Sequence, residues 1–327
     1  MFALRGIAVS LTFFVVLYCL MSALITVAWR VLKLLRVKDQ SIAAVLFVLR
    51  VLPFAASVVV TFVFVVPSFQ LLEPRSMDID EGMGAMPLAL GICALGLIAC
   101  GCFRVIAAQI KTARVVARWL EGARLLNVNA IGQGKVQGEV QNEAVAATFC
   151  SSGATPPLTL VGIGKPRVVV SESTVALLNQ DELRVALKHE FAHMRSRDNL
   201  KKLVFRFCPF PGMAKLETAW SQAAELAADD AAVSNPDDAV DLAAALVKLS
   251  RLVPIEAAPV CTVGFVTGSI SARVARLLAW NERGKAQRTL NRPWYVIPTA
   301  LAALSCVCVT YGPALALTHE VTEWLVR

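Results

Sequence analysis

The stretch His189-Glu190-Phe191-Ala192-His193-Met194-Arg195-Ser196-Arg197-Asp198-Asn199-Leu200 is the part of this sequence from which the rest can be read. Residues four apart on a helix share a face, so His189 and His193 project two imidazoles to the same side. The chain has only three histidines, and two of them stand here. This is the HExxH pattern, in which two imidazole nitrogens hold one zinc ion (Zn2+) and the intervening Glu190 serves as general base for water.

A catalytic zinc takes about three protein ligands and keeps one position open. The third ligand is therefore expected from another element, and Glu225 is the best candidate. It lies in Glu225-Leu226-Ala227-Ala228-Asp229, with Asp229 one helical turn further on. A carboxylate in that place can hydrogen-bond a ligating histidine and fix its tautomer. Alone, Glu-x-x-x-Asp is a solvated helix face; after an HExxH motif it gains meaning. Asp198 is a weaker candidate for a similar role. It stands five residues after His193, where a regular helix turns it away from the metal, so it reads as a surface carboxylate.

Around these motifs the chain is more polar. Lys135–Gln141, Leu158–Gly162 and Arg167–Ser171 read as short strands between Gly and Pro breaks. Asn179 followed by Glu182 is a capping box opening a helix over about 181–205. Cys208-Pro209-Phe210-Pro211-Gly212 breaks the chain, a second helix covers about 214–233, and further helices are expected over 237–252 and 271–281. Gly162-Ile163-Gly164-Lys165 and Gly132-Gln133-Gly134-Lys135 lack the spacing of a phosphate loop and read as turns.

Outward from this segment the composition changes. Of 327 residues 57% are hydrophobic and 17% charged, against about 25% charged in soluble domains. The excess sits in four runs near the roughly 20 residues that cross a bilayer: Gly6–Trp29, Val51–Leu72, Pro87–Phe103 and Pro293–Thr318. The first could be a cleaved signal peptide, but it is long for one and shows no clear cleavage site. Arg30, Lys33, Arg36 and Lys38 place the first loop inside by the positive-inside rule. Glu73, Asp78, Asp80 and Glu81 suit the outside. Arg104, Lys111, Arg114, Arg118 and Arg124, with Arg283, Lys285, Arg288 and Arg292, bracket the polar segment inside. An outside amino terminus and an outside tail follow. Arg50 is expected to snorkel to the cytoplasmic interface. Ile106, Ile110, Ala113, Ala117 and Leu120 form an apolar stripe expected to lie along the membrane surface.

The net charge of +8 reads as topological, since no nucleic-acid motif accompanies it and no direct nucleic-acid partner is expected. Nine cysteines include no CxxC pair, which disfavours a disulfide framework or a thiolate zinc site and fits a reducing compartment. No serine or cysteine has a spare histidine to activate it, and His319 reads as a residue of the external tail.

These residues resemble the BlaR/MecR-type membrane zinc metallopeptidases, a family that includes β-lactam-sensing receptors. The likeness is strongest over Pro157–Val233. It rests on Lys165-Pro166-Arg167-Val168-Val169, Glu182-Leu183, the block from His189 to Leu200, and Trp220 ahead of Glu225-Leu226-Ala227-Ala228-Asp229. The resemblance implies His189, His193 and Glu225 as zinc ligands and Glu190 as catalytic base. It also implies three spans before the peptidase domain and one after, and it favours a role for Asp198. The antibiotic receptors carry a penicillin-binding sensor after the last span, which this sequence does not show before Arg327. A separate sensor partner is expected instead.

The expectation is an α-helical membrane protein with four transmembrane helices and a cytoplasmic, mainly α, α+β zincin-like peptidase domain. Residues 1–110 form the three-span region, 111–290 the peptidase domain, and 291–327 the fourth span and a short external tail. The bilayer would be the inner, cytoplasmic membrane. The substrate would be a cytoplasmic or membrane-proximal protein, for which the resemblance suggests a transcriptional repressor. Two rivals are an HtpX or CaaX-processing type of membrane protease, which places spans between its two motifs, and a non-catalytic membrane scaffold with a structural metal. For the oxyanion, Arg273 and Arg276 are candidates that read more simply as surface charges.

Overall fold

Uncharged apolar runs can satisfy their backbone in lipid only by closing into helices, and the first third of the chain does so. The computed structural model describes residues 2–32, 42–73, 84–126, 147–153, 155–210, 212–252, 262–264, 270–280 and 311–324. Helix α1 spans Phe2–Leu32, and α2 spans Ile42–Val60. A π-helical turn at Thr61–Val65 joins α2 to α3 (Val66–Leu72), and α4 runs over Ala85–Leu120. Among the described residues these make three helical spans long and apolar enough to cross a membrane. Leu24, Val48 and Leu95 point outward, as a lipid-facing surface requires. Between helices, Val9 packs with Val65 and Phe69, and Phe14 with Ala94.

Several polar groups inside the bundle find backbone carbonyls. Pro53 stands inside α2, which continues through it, and Ser57 Oγ donates to the Pro53 carbonyl at 2.7 Å. Thr12 Oγ1 donates to the Pro87 carbonyl at 3.0 Å. The π turn leaves a carbonyl that Tyr311 OH approaches, donating to Val63 O at 3.0 Å. Residues 293–310 of the expected fourth run lie outside the described residues, while 311–324 are helical and lie alongside the second span.

Helix α4 is the longest of the described helices. At 36 residues it extends about 54 Å, unbroken through the expected boundary near residue 110. After residue 100 its buried positions are Gly101, Ala108 and Thr112, while Ile106 and Ile110 of the apolar stripe are exposed.

Beyond it lies a five-stranded sheet: β1 (Arg124–Leu125), β2 (Ala147–Ser151), β3 (Leu158–Val161), β4 (Arg167–Ser171) and β5 (Thr262–Gly264). The order is β1-β2-β4-β3-β5, with β2 and β4 parallel and the other pairs antiparallel. The expected strands over 158–162 and 167–171 are present, and that over 135–141 lies outside the described residues. Helices follow: α5 (Glu172–Leu177), α6 (Gln180–Arg195), α7 (Asp198–Phe207), α8 (Ala214–Ala232), α9 (Pro236–Ser250) and α10 (Ile270–Leu278). Leu158, Leu160, Val168 and Val170 of the sheet close a core with Leu183, Ala186 and Leu187 of α6 and Leu242, Leu246 and Leu249 of α9.

The capping box at the start of α6 is present in full: Asn179 Oδ1 accepts from the Glu182 amide at 2.7 Å, and Glu182 Oε2 accepts from the Asn179 amide at 3.0 Å. The expected single helix to residue 205 is instead two. Ser196 ends α6, and Arg197 adopts a left-handed conformation with φ 54°. An L-residue there pays about 1–2 kcal/mol, so something must hold the turn. Asn199 does, donating from Nδ2 to the carbonyls of Leu160 and Gly162 at 3.2 and 3.0 Å and fastening α7 to the end of β3.

Candidate metal centre

Helix α6 carries His189, Glu190 and His193, all buried to within 1% of full burial. Helix α8 crosses it and supplies Glu225 and Asp229, also buried. The Nε2 atoms of the two histidines are 3.1 Å apart, and the Glu225 oxygens lie 3.5 Å from His189 Nε2 and 3.8 Å from His193 Nε2. These three residues offer ligand atoms that all lie within 4.8 Å of one another.

The opposite nitrogen of each ring faces a carboxylate. His189 Nδ1 is 3.0 Å from Asp229 Oδ1, where the sequence placed a helper carboxylate. His193 Nδ1 is 2.8 Å from Asp198 Oδ2, which corrects the reading of Asp198 as a surface group. The left-handed turn at Arg197 starts a new helix at Asp198 and swings its carboxylate back toward the ring. Lys201 Nζ donates to the other oxygen of Asp198 at 2.9 Å.

Arg273 and Arg276 are likewise not loose surface charges. Arg273 is 3% exposed; its Nε donates to Asp229 Oδ2 at 2.8 Å, and its Nη1 to Glu225 Oε2 at 3.0 Å. It therefore holds the two α8 carboxylates in register and is committed to them. Arg276 pairs with Asp230. Nothing in the spacing of α10 announced these pairs, whose partners stand 44 and 46 residues away.

The donor set fits a divalent cation. If each Nδ1–H is given to its carboxylate, both Nε2 lone pairs face each other at 3.1 Å, a repulsive arrangement unless a cation or a proton sits there. Neither oxygen of Glu190 makes a hydrogen bond of ordinary geometry, although the Leu160 backbone is near enough to favour the charged form. Four buried carboxylates, at positions 190, 198, 225 and 229, converge on two imidazoles and Arg273.

Charge states in the metal-free protein follow from this crowding. For His193, burial opposes the charge, but hydrogen bonds to Asp198 and Glu225 outweigh it and raise the imidazole to about 10. His189 moves upward for the same reason, Asp229 and Glu225 overcoming its desolvation. Glu225, also penalised by burial, is driven far below the usual carboxylate range by both histidines. Burial raises Glu190, with the imidazoles pulling the other way.

Residues 75–277 match the family model of the BlaR1 peptidase M56. The chain belongs to the BlaR1 peptidase M56 family. It is thus a membrane metallopeptidase by family, with protein as its substrate class. Comparison with curated proteins gives no match. The spans that HtpX-like chains place between the two motifs are not found here among the described residues, where α7 has ten residues, half of what a span needs. A narrow cleft beside the centre is lined by His193, Asp198, Lys202, Trp220, Ser221, Ala224 and Glu225. A second group, Glu73, His319 and Glu323, gathers near one end of the membrane helices, where Arg5 lies 3.7 Å from Glu73.

Two outcomes are expected in one metal titration. Asp198→Ala should weaken metal binding about 10- to 100-fold, the usual cost of losing the partner of a ligating histidine. Because His193 holds its proton at pH 7.5 and a ligand must be neutral, binding should release at least one proton per ion. Affinity should accordingly fall as pH falls. Calorimetry in buffers of different ionisation enthalpy reads both effects; unchanged affinity in Asp198→Ala would show that Asp198 does not orient His193.

Proposed function

We propose that this chain is a zinc-dependent endopeptidase that cleaves a cytoplasmic or membrane-proximal protein. The observation that carries this reading is the convergence of His189, His193 and Glu225 beside the buried carboxylate of Glu190. Two imidazoles, one carboxylate and a neighbouring base are the donor set of a hydrolytic zinc centre, not of a purely structural one. When bound, zinc supplies the Lewis acidity that polarises a scissile carbonyl and acidifies water near neutral pH. His189, His193 and Glu225 would hold the ion, while Asp229 and Asp198 orient the two rings through their Nδ1 atoms.

Glu190 is the catalytic base in this reading. Its carboxylate takes a proton from the attacking water as the new C–O bond forms, and returns it to the amine nitrogen as the C–N bond breaks. Burial raises its pKa, which makes it a stronger base than an exposed glutamate.

An extended substrate could pair by its backbone only with an open strand edge, which neither β3 nor β4 offers. In the structure β4 lies between β2 and β3, and β3 between β4 and β5, so both strands are paired along both edges. Recognition at an open edge of either strand is not part of the proposal. The cleft that includes Trp220 and Lys202 is the nearer candidate for substrate contact.

The orientation with the peptidase inside is supported by where that part docks. Thr26 near the end of α1, Arg50 at the middle of α2 and Gly101 near the middle of α4 all meet it. These belong to the end of the bundle that bears Arg30, Arg104 and Lys111, the basic side by the positive-inside rule. A fourth span through 293–318, with its tail outside, completes the proposed topology in the cytoplasmic membrane. Its visible end runs beside the second span. A regulatory protein such as a repressor is the proposed substrate.

The test is reconstitution in proteoliposomes of known orientation, with zinc present and a chelator control. Cleavage should require the face bearing Arg118 to be exposed to substrate. It should fall about 10²- to 10⁴-fold in Glu190→Gln, the range that general base catalysis contributes, with metal retained. Undiminished cleavage in Glu190→Gln, or cleavage only from the face bearing Glu73, contradicts the proposal.

A further inference from the structure

Arg50 stands in the second membrane span, yet it is 2% exposed. It does not snorkel to an interface as the sequence suggested. Its Nε and Nη2 donate to Glu217 Oε1 at 2.9 and 2.8 Å. Nη2 also donates to the carbonyls of Cys208 and Phe205 at 2.7 and 3.3 Å. The guanidinium carbon lies 5.6 Å from the centre of the Phe205 ring.

Those partners are specific in position. The Phe205 and Cys208 carbonyls belong to the C-terminal end of α7, where carbonyls lack helical partners and the helix dipole is negative. Glu217 lies in the first turn of α8. One buried cation therefore pins the end of one helix and the start of the next. Each of these helices reaches the metal centre: α7 begins at Asp198, against His193, and α8 carries Glu225 two turns, about 12 Å, beyond Glu217. A second chain of contacts runs parallel to it, since the Phe205 ring stands edge-on to Trp220 at 4.9 Å, and Trp220 lines the cleft with His193 and Glu225.

The other spans seat the same corner. Tyr18 OH donates to the Pro209 carbonyl at 2.9 Å. Gly101 of α4 closes on the Phe207 carbonyl so tightly that a Cβ there would collide with it. A buried charge in a membrane helix is expensive, and its partners point to its role. Here the partners described are all on the peptidase side.

We propose that Arg50 is a positioning residue that ties the second membrane span to the metal centre by holding the ends of α7 and α8. Displacement of that span then moves Asp198 and Glu225 relative to His189 and His193. The site would respond to an event in the membrane through this corner. The consequence for metal binding rests on the metal-centre reading above; the mechanical tie does not.

The test uses the full chain in lipid nanodiscs with two variants, Arg50→Lys and Arg50→Met/Glu217→Met. The double variant removes both charges, so no unpaired ion is left buried. Hydrogen exchange is measured on metal-free protein, and Co2+ is titrated while its absorption spectrum is recorded. In the double variant the amides of 198–208 and 214–229 should exchange faster, with those of α9 unchanged. Co2+ affinity should fall roughly 2- to 30-fold, with an altered spectrum. Arg50→Lys keeps the charge but lacks the forked donor, and should fall between the double variant and wild type. Wild-type exchange and an unaltered spectrum in the double variant overturn the proposal. If the double variant also loses protection in α9, Arg50→Lys decides: faster exchange confined to α7 and α8 upholds the tie, and unchanged exchange overturns it. A wild-type protein that binds no Co2+ would sink the metal-centre reading, while exchange would still decide whether Arg50 holds the two helices.

Discussion

Each histidine of the centre has one nitrogen turned toward the other histidine and one turned toward a buried carboxylate, and most of the surrounding structure can be traced to that arrangement. Asp229 is held for His189 by Arg273, which also holds Glu225. Asp198 is held for His193 by the left-handed turn at Arg197, and that turn by Asn199 on the β3 end. Removing one member of such a buried network leaves a charge without its counterpart, which costs about 3–5 kcal/mol. Helices α6, α7, α8 and α10 are thus required together, because each contributes a charge that another must neutralise, and the end of β3 holds α7 in place.

The centre was legible in the sequence where its logic is local. The four-residue spacing of His189 and His193 and the capping box of Asn179 and Glu182 are properties of one helix, and both appear as read. Glu225 and Asp229 needed a second helix to cross the first, and the order of the motifs implied it. Asp198 was misread because helix periodicity assumes that the helix continues. The break comes from Asn199 reaching carbonyls 37 and 39 residues earlier, which no local pattern records.

Arg50 and Arg273 failed for a related reason. A lone arginine in an apolar run, or on a short amphipathic helix, reads as a snorkelling or surface charge. The partners here are 167 and 44 residues away. Strand β2 was likewise missed: its five residues carry no break of their own, and they are defined by parallel pairing with β4. The apolar stripe of α4 does not mark what packs against the protein there: Ile106 and Ile110 stay exposed, whereas the small Gly101 and Ala108 are buried.

Membrane and peptidase parts meet at the end of α7 and along α8, where Phe205, Leu216 and Trp220 pack with Leu46 of the second span, and this gives the bundle a second use besides anchoring. The central claim remains the ligand set itself, and X-ray absorption spectroscopy of the zinc-loaded protein tests it most directly. Two imidazole nitrogens at about 2.0–2.1 Å and carboxylate oxygen at about 2.0–2.2 Å are predicted, with the carboxylate contribution lost in Glu225→Ala. Sulfur at about 2.3 Å, or a spectrum unaltered by Glu225→Ala, would contradict it.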